Sequence, residues 1–124
     1  MFTRWRTANR LSARNRVVLV PFPFDDLTST KVRPAVCLTD EIGPHRHVVL
    51  AFITSRVPEP PSVTDVVLQP QDPEFGATGL RVASAIRLHR LMTVNVQLIR
   101  RTLGALPDGI ARRVQDALRE LFLV

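Results

Sequence analysis

Hydrophobic residues along this chain fall first into short strand-like runs and then into one helical stripe. Residues 17–24 are apolar, β-branched and aromatic, the composition of a strand. Pro21 and Pro23 lack the amide proton that a central strand would donate, so this is expected to be an edge or bulged strand. Asp, Ser and Thr in residues 25–32 hydrogen-bond their own backbone in turns, which predicts an exposed hairpin-type loop of the kind that carries function. Residues 35–38 continue as a second strand, residues 41–46 turn through Gly43-Pro44, and residues 48–53 form a third, wholly apolar strand that belongs to the core. Three prolines, Pro58, Pro60 and Pro61, make residues 56–62 a loop. Residues 63–68 resume as a short strand, and Pro70, Pro73, Gly76 and Gly79 break residues 69–80. In residues 83–94, Ala85, Arg87 and His89 alternate with Ile86, Leu88 and Arg90, the pattern of a strand with one polar face.

The period then changes. Ile110, Val114, Ala117, Leu118, Leu121 and Phe122 recur at helical spacing and make one amphipathic stripe. Pro107 suits the first turn of that helix, Asp108 favours the positive end of its dipole, and Arg112, Arg113 and Glu120 fall on the solvent side. Strands without long helices between them predict a mainly β fold, a curled antiparallel sheet or small barrel capped by this one C-terminal helix.

At 124 residues the chain has room for one domain with one core. Its 45% hydrophobic and 23% charged residues are those of a soluble globular domain, and no apolar run approaches the roughly 20 residues of a membrane-spanning helix. Cys37, the only cysteine, cannot form an internal disulfide, and the opening MFTRWRTANRLSARNR has positive charge but no apolar core for secretion. The cytoplasm is the expected compartment. Seventeen Lys and Arg against eleven Asp and Glu give a formal +6, which attracts a polyanion: nucleic acid or an acidic protein. Arg4, Arg6, Arg10, Arg14 and Arg16 concentrate that excess ahead of the first strand. Residues 1–14 are accordingly read as a basic flexible arm, either a solubilising tail or an RNA-gripping one, and residues 15–124 as the domain.

Few residues offer chemistry. There is no cysteine pair, no His-x-x-x-His, no P-loop lysine motif and no Gly-x-Ser-x-Gly, which disfavours metal and acyl-transfer reactions and implies no cofactor. His45 and His47 would share one strand face but have no third ligand at an obvious spacing. His89 reads as a surface or cross-strand contact, Cys37 as a small buried hydrophobe, and Asp25-Asp26 as turn-capping acids rather than a catalytic pair. Arg33 differs. Pro34 restricts it to extended geometry and the strand beyond anchors it, so its backbone is held at a strand mouth.

The stretch VVLVPFPFDDLTSTKVRPAVCLTD, residues 17–40, resembles the opening of the MazF/PemK family of toxin ribonucleases: a strand ending in Phe-Pro-Phe, then Asp-Leu, then Lys-x-Arg-Pro-Ala. VVLAFITS at residues 48–55 is similar to the family's second motif, SAIRLHRLMT at residues 84–93 to the strand before its closing segment, and Leu103-Gly104 precedes the terminal helix as in the family. Together these cover residues 17–124 in order. The resemblance implies a small SH3-like antiparallel β-barrel of the CcdB/MazF type with a C-terminal helix. It also implies a homodimer that cuts single-stranded RNA without metal and is neutralised by the acidic inhibitory tail of a cognate antitoxin. It places the catalytic pair at Arg33 and Thr54, with Ser55, Lys31, Asp25, Thr28 and Ser84 in supporting or substrate-binding roles. The chemistry agrees with that placement. Attack by the RNA 2′-hydroxyl passes through a phosphorane with extra negative charge, which a fixed fork of guanidinium donors and the hydroxyl of Thr54 or Ser55 suit. An always-protonated arginine is fitted to stabilise charge, or to donate a proton to the leaving oxygen, rather than act as base, a role left unassigned. The 2′-hydroxyl as nucleophile explains why DNA would resist.

Two positions depart from the family pattern. Asn15-Arg16 stands where Gly-Asp is usual before the first strand; Asn tolerates left-handed geometry, but the acid has become a base. His89 stands where an aspartate is common. The alternative reading is a non-catalytic CcdB-like barrel that binds a protein such as gyrase or regulates nucleic acid, a class not expected to keep the Arg-Pro and Ile-Thr-Ser motifs together.

Overall fold

The computed structural model describes residues 12–21 and 31–123. Six strands form one antiparallel sheet: β1 (Arg16–Pro21), β2 (Val32–Cys37), β3 (His47–Thr54), β4 (Asp65–Leu68), β5 (Ser84–Asn95) and β6 (Arg101–Ala105). Helix α1 (Asp108–Phe122) follows. Across the sheet the order is β4-β5-β3-β2-β1-β6, curled into a half-barrel that the helix caps, as expected for an SH3-like barrel of this kind. Among the described residues no helix is long and apolar enough to cross a membrane.

Alternation along the first three strands builds two apolar layers, because successive strand residues face opposite sides. Val17, Val36, Ala51 and Ile53 join Ile86, Leu88 and the helix residues Ile110, Val114 and Ala117 in one cluster. Val18, Val20, Ala35, Cys37, Val48 and Leu50 form the other, with Val94. Burial on both faces explains why β1 and β3 read as unbroken hydrophobic runs. The helix stripe is buried at Ile110, Val114 and Ala117, whereas Phe122, in the last turn before the left-handed Leu123, is 57% exposed.

Two irregularities shape the sheet. In β5, Leu91–Asn95 pair with Ala51–His47 and Arg87–Ala85 pair with Phe52–Thr54, so Leu88, His89 and Arg90 have no partner in β3. Unpaired residues on one strand bend it and re-aim its side chains. In β6, Val17 faces Gly104 but Val18 faces Thr102, which leaves Leu103 as an extra residue. At that bulge β6 meets the 3-10 turn Phe75–Thr78, which lies beyond β4. A Cβ on Gly104 would lie 2.3 Å from the carbonyl oxygen of Ala77, and one on Gly79, whose φ is +76°, 2.1 Å from that of Leu103. The Leu103-Gly104 motif is thus where the two ends of the sheet are brought together, and only glycine fits the contact.

Several expectations are corrected. β1 is not an edge strand but lies between β2 and β6; Pro21 is its last residue, and pairing with β6 ends at Leu19, so no neighbour there needs the missing amide. Pro23 lies outside the described residues. β2 begins at Val32, so Arg33 and Pro34 are inside the strand; pairing with β3 starts only at Ala35. Ser84, Ala85 and Ile86 are all buried, because this half of β5 is flanked by both β3 and β4, and β5 has a polar face only beyond them. β6 carried no strand signal, being short, polar and glycine-containing.

Ahead of β1, Ala13 packs on the second cluster and the Arg14 amide donates to Asp40 Oδ1 at 3.1 Å. Asn15 takes a left-handed conformation, φ +72°, which this residue type tolerates. Its amide donates to the Cys37 carbonyl and its carbonyl accepts from Leu106, each at 2.8 Å, so the turn ties β1 to the ends of β2 and β6. Residues 1–11 of the basic arm lie outside the described residues.

Candidate active site

Thr54 is the last residue of β3, and its Oγ1 accepts the backbone N–H of Arg56 at 3.0 Å. That bond uses a lone pair, fixes the rotamer and leaves the hydroxyl proton to donate elsewhere. Arg33 is exposed on the neighbouring strand. Ala35 pairs with Phe52, and extending this antiparallel register by two residues sets Arg33 alongside Thr54. Side chains so placed start about 5 Å apart at Cβ. Sequence separates these residues by a strand, a turn and a second strand; the β2–β3 hairpin reunites them.

A cleft of ≈ 560 Å³ opens over this pair. Pro34, Phe52 and Ile53 line it with Thr54, Ser55 and Arg56, and the Leu80–Val82 segment, Ser84, Arg87 and Arg90 complete the wall. Five arginines therefore face one cavity: Arg33, Arg56, Arg81, Arg87 and Arg90, with no acidic residue among the described lining. Arg56, Arg81 and Arg90 make no ion pair among the described residues. A smaller niche of ≈ 220 Å³, lined by Phe52, Arg90, Leu91 and Met92, adjoins it. Such a cavity concentrates anions.

Arg87 is held from behind. Its Nε donates to Asp65 Oδ1 at 2.7 Å, and its Nη2 lies 3.5 Å from His89 Nε2. The Asp65 side chain has no solvent exposure and also accepts from the Ser62 amide at 2.8 Å and the Ser62 hydroxyl at 3.1 Å. Burial alone would raise the Asp65 pKa, but the hydrogen bonds from Ser62 and the Arg87 guanidinium outweigh it and hold the carboxyl below its usual range.

Of the residues singled out in the sequence, Arg33, Thr54, Ser55 and Ser84 come together in the cleft. Ser84 is buried, and its hydroxyl donates to the Val82 carbonyl at 2.9 Å, so it shapes the wall that carries Arg81. Lys31 is exposed and is not among the lining residues. Asp25 and Thr28, and with them most of the 25–32 loop, lie outside the described residues. Arg56, Arg81, Arg87 and Arg90 were not anticipated. Their signal was present in part, since Arg56 follows Ile-Thr-Ser directly and Arg87 and Arg90 sit in the third motif.

Elsewhere, the His45 and His47 rings lie 5.9 Å apart at the β2–β3 turn, whose geometry rests on Arg46 (φ +56°) paired with Glu41 at 2.7 Å. That bond holds the Arg46 guanidinium pKa above its ordinary value. Among the described residues no three His, Cys, Asp or Glu side chains gather as a metal site would require. Cys37 is fully buried, which pushes its thiol pKa up to about 11.

A family model for PemK-like, MazF-like toxins of type II toxin-antitoxin systems matches residues 13–122. This chain belongs to that family. Solved structures agree in fold. A Mycobacterium tuberculosis toxin, MazF-mt6, is similar with a TM-score of 0.67 at 21% identity, over 88% of this chain and 97% of that one. A MazE-MazF structure from Deinococcus radiodurans is similar at 0.67 and 16% identity, over 90% and 95%. A third, described as an endoribonuclease in complex with its cognate antitoxin from a mycobacterial species, is similar at 0.66 and 14% identity, over 90% and 94%. No curated protein matches the chain in sequence. Within this MazF-like chain, the family's Arg-Pro-Ala and Ile-Thr-Ser motifs are the segments that meet in the arginine-lined cleft.

Proposed function

We propose that this MazF-like toxin is a metal-independent endoribonuclease that cuts single-stranded RNA in the cleft between β2, β3 and β5. The observation that carries this reading is that Arg33 and Thr54, on neighbouring strands, line one cavity together with four further arginines and no described carboxylate. The 2′-hydroxyl of a bound ribonucleotide attacks the adjacent phosphorus, the bond to the 5′-oxygen breaks, and the products are a 2′,3′-cyclic phosphate and a 5′-hydroxyl. The proton leaves the 2′-oxygen as the new bond forms, and the 5′-oxygen takes up a proton as it departs. In the phosphorane the non-bridging oxygens gain negative charge. The Arg33 guanidinium offers them several N–H donors in one plane, and Thr54, its lone pair occupied by the Arg56 amide, offers its O–H. Donors fixed before reaction stabilise that charge without reorganising.

The remaining arginines attract the phosphates on either side, and a single strand fits because its backbone can follow an open cleft. DNA lacks the nucleophile. The same positive charge suits an acidic antitoxin segment with apolar anchors, consistent with the antitoxin complexes known among similar structures. A homodimer acting in the cytoplasm completes the proposal, with residues 1–14 as a basic flexible arm ahead of the domain.

The test is incubation of purified protein with a varied panel of single-stranded RNAs in the presence of a chelator, beside Arg33→Ala. Cleavage by the wild type that the variant loses is expected. RNA that stays intact, or an Arg33→Ala protein that cuts equally well, overturns the mechanism; recovery of gyrase in pull-down without cleavage would favour a non-catalytic toxin instead.

A further inference from the structure

The reaction proposed above needs one guanidinium at the scissile phosphate, yet the cleft holds five, and two of these are delivered by a single irregularity. Arg87 and Arg90 are three residues apart in β5. In a regular strand they would point to opposite faces. The Leu88–Arg90 segment, without a partner in β3, breaks that alternation: Leu88 turns into the core, His89 is exposed, and Arg87 and Arg90 both line the same cavity. Arg87 pairs across the sheet with Phe52, two residues before Thr54 on β3. It is therefore displaced along the cleft from the catalytic pair by about 7 Å, the rise of two strand residues and close to the spacing of successive phosphates in an extended single strand.

Arg87 is aimed as well as present. Asp65 accepts its Nε at 2.7 Å from a fully buried position, and Ser62 fixes Asp65 with two further hydrogen bonds. With the Nε–H committed behind, the two Nη amines carry the other four N–H donors. Arg90 also lines the cavity and makes no ion pair among the described residues, so no described carboxylate competes there with a ligand.

We infer that Arg87 and Arg90 form a second phosphate subsite, which binds the phosphate next to the scissile one, and that buried Asp65 is the positioning residue that aims Arg87 into it. The inference rests on the ribonuclease reading for the identity of the ligand, but it concerns binding rather than cleavage. It predicts that affinity for a single strand depends on two charges that take no part in the reaction at phosphorus.

The experiment measures binding of a short fluorescent 2′-O-methyl oligoribonucleotide, which cannot be cleaved, by anisotropy at several salt concentrations. The comparison covers wild type, Arg90→Ala, Arg87→Gln, Asp65→Asn and Arg112→Ala, a solvent-side arginine of α1 that serves as control. Arg90→Ala and Arg87→Gln are expected to bind roughly tenfold more weakly at low salt, each with a slope of log K against log salt reduced by about 0.7, the loss of one phosphate contact to a single strand. Asp65→Asn should weaken binding severalfold, and in the Arg87→Gln background it should weaken it no further. Arg112→Ala should leave the slope unchanged. Exposed Arg90 keeps the test decisive should an Asp65 variant fold poorly.

Unchanged slopes in Arg90→Ala and Arg87→Gln, or an equal loss in Arg112→Ala, overturn the subsite. An additive Asp65→Asn effect in the Arg87→Gln background overturns the positioning role. Binding that follows these expectations in a protein that leaves RNA intact would reject the ribonuclease reading and keep the subsite. Absence of binding would reject both.

Discussion

Asp65 and Arg87 face each other across β4 and β5, joined by a 2.7 Å hydrogen-bonded ion pair whose acidic side is fully buried and whose basic side borders the cleft. The pair couples the stability of the sheet edge to the charge of the site. Breaking a buried pair by removing one partner leaves the other charge uncompensated, so the edge strand and the cleft are expected to fail together.

This pair predicts a specific acid sensitivity. An unfolded aspartate titrates near about 3.9. In the fold, burial raises the Asp65 pKa, but the bonds from Ser62 and Arg87 lower it further than burial lifts it. A carboxyl depressed in the native state contributes its full stabilisation above the unfolded value and loses it as pH falls through the folded one. Asp65→Asn should therefore be less stable than wild type at neutral pH by about 1–3 kcal/mol, and the gap should narrow below about pH 4. Urea unfolding of both proteins at about pH 7 and pH 3 measures it. A gap that stays constant or widens in acid would show that the ionised carboxylate is not what stabilises this edge.

Much of this molecule could be read from its sequence, and the failures have physical causes. β3 and α1 declared themselves through an unbroken apolar run and a helical stripe, because burial demands those patterns. Arg33 and Thr54 were singled out from local motifs, and both line the cleft. Arg87 and Arg90 could not be assigned to one cavity, since strand periodicity puts them on opposite faces and only the non-local register of β3 against β5 reveals the bulge. Position misled for Pro21 as well: a proline that looks like an edge marker sits at the end of an internal strand, where its missing amide goes unused. Asp65 gave no signal, because its partner lies 22 residues away.

The core thiol should be chemically silent. Cys37 is fully buried in β2, and desolvation pushes its pKa up to about 11 even though the positive charge of Arg16 works against the rise. At about pH 8 only on the order of one molecule in a thousand carries the reactive thiolate, and a reagent must also reach it. A thiol-reactive dye should therefore label the native protein only as fast as it unfolds, and label one site completely in denaturant. Rapid stoichiometric labelling without denaturant would mean that β2 opens far more readily than its packing implies.

Two glycines separate close contact from mere flexibility. A Cβ on Gly104 would sit 2.3 Å from the Ala77 oxygen and 2.6 Å from the Thr78 carbonyl carbon, backbone atoms that cannot swing away as a side chain would. A Cβ on Gly76, in the same 3-10 turn, would meet nothing within 4 Å. Gly104→Ala should cost about 1–3 kcal/mol or more by forcing β6 off the turn, while Gly76→Ala should be neutral or slightly stabilising. Thermal melts of the two variants side by side decide the matter, and equal Tm values would contradict the contact.

The strictest prediction concerns how Arg33 and Thr54 divide their work. Arg33 is exposed, where a polar or charged contact contributes little, so Arg33→Ala should change folding stability by no more than about 1 kcal/mol. Its cleavage rate should nevertheless fall about 10²–10³-fold or more, the loss of a preorganised donor to the phosphorane. Arg33→Lys keeps the charge but not the planar fork and should fall in between. At position 54 one oxygen would have two functions: it accepts from the Arg56 amide, and in the proposed reaction it donates its proton to the phosphorane. Thr54→Ser preserves both and should remain within about tenfold of wild type, whereas Thr54→Val, of the same shape, removes both and should resemble Arg33→Ala. Single-turnover cleavage with saturating protein isolates the chemical step from binding. If Thr54→Val cut as well as Thr54→Ser under those conditions, the hydroxyl would have no part in the reaction, and Arg33 would have to stabilise the phosphorane alone.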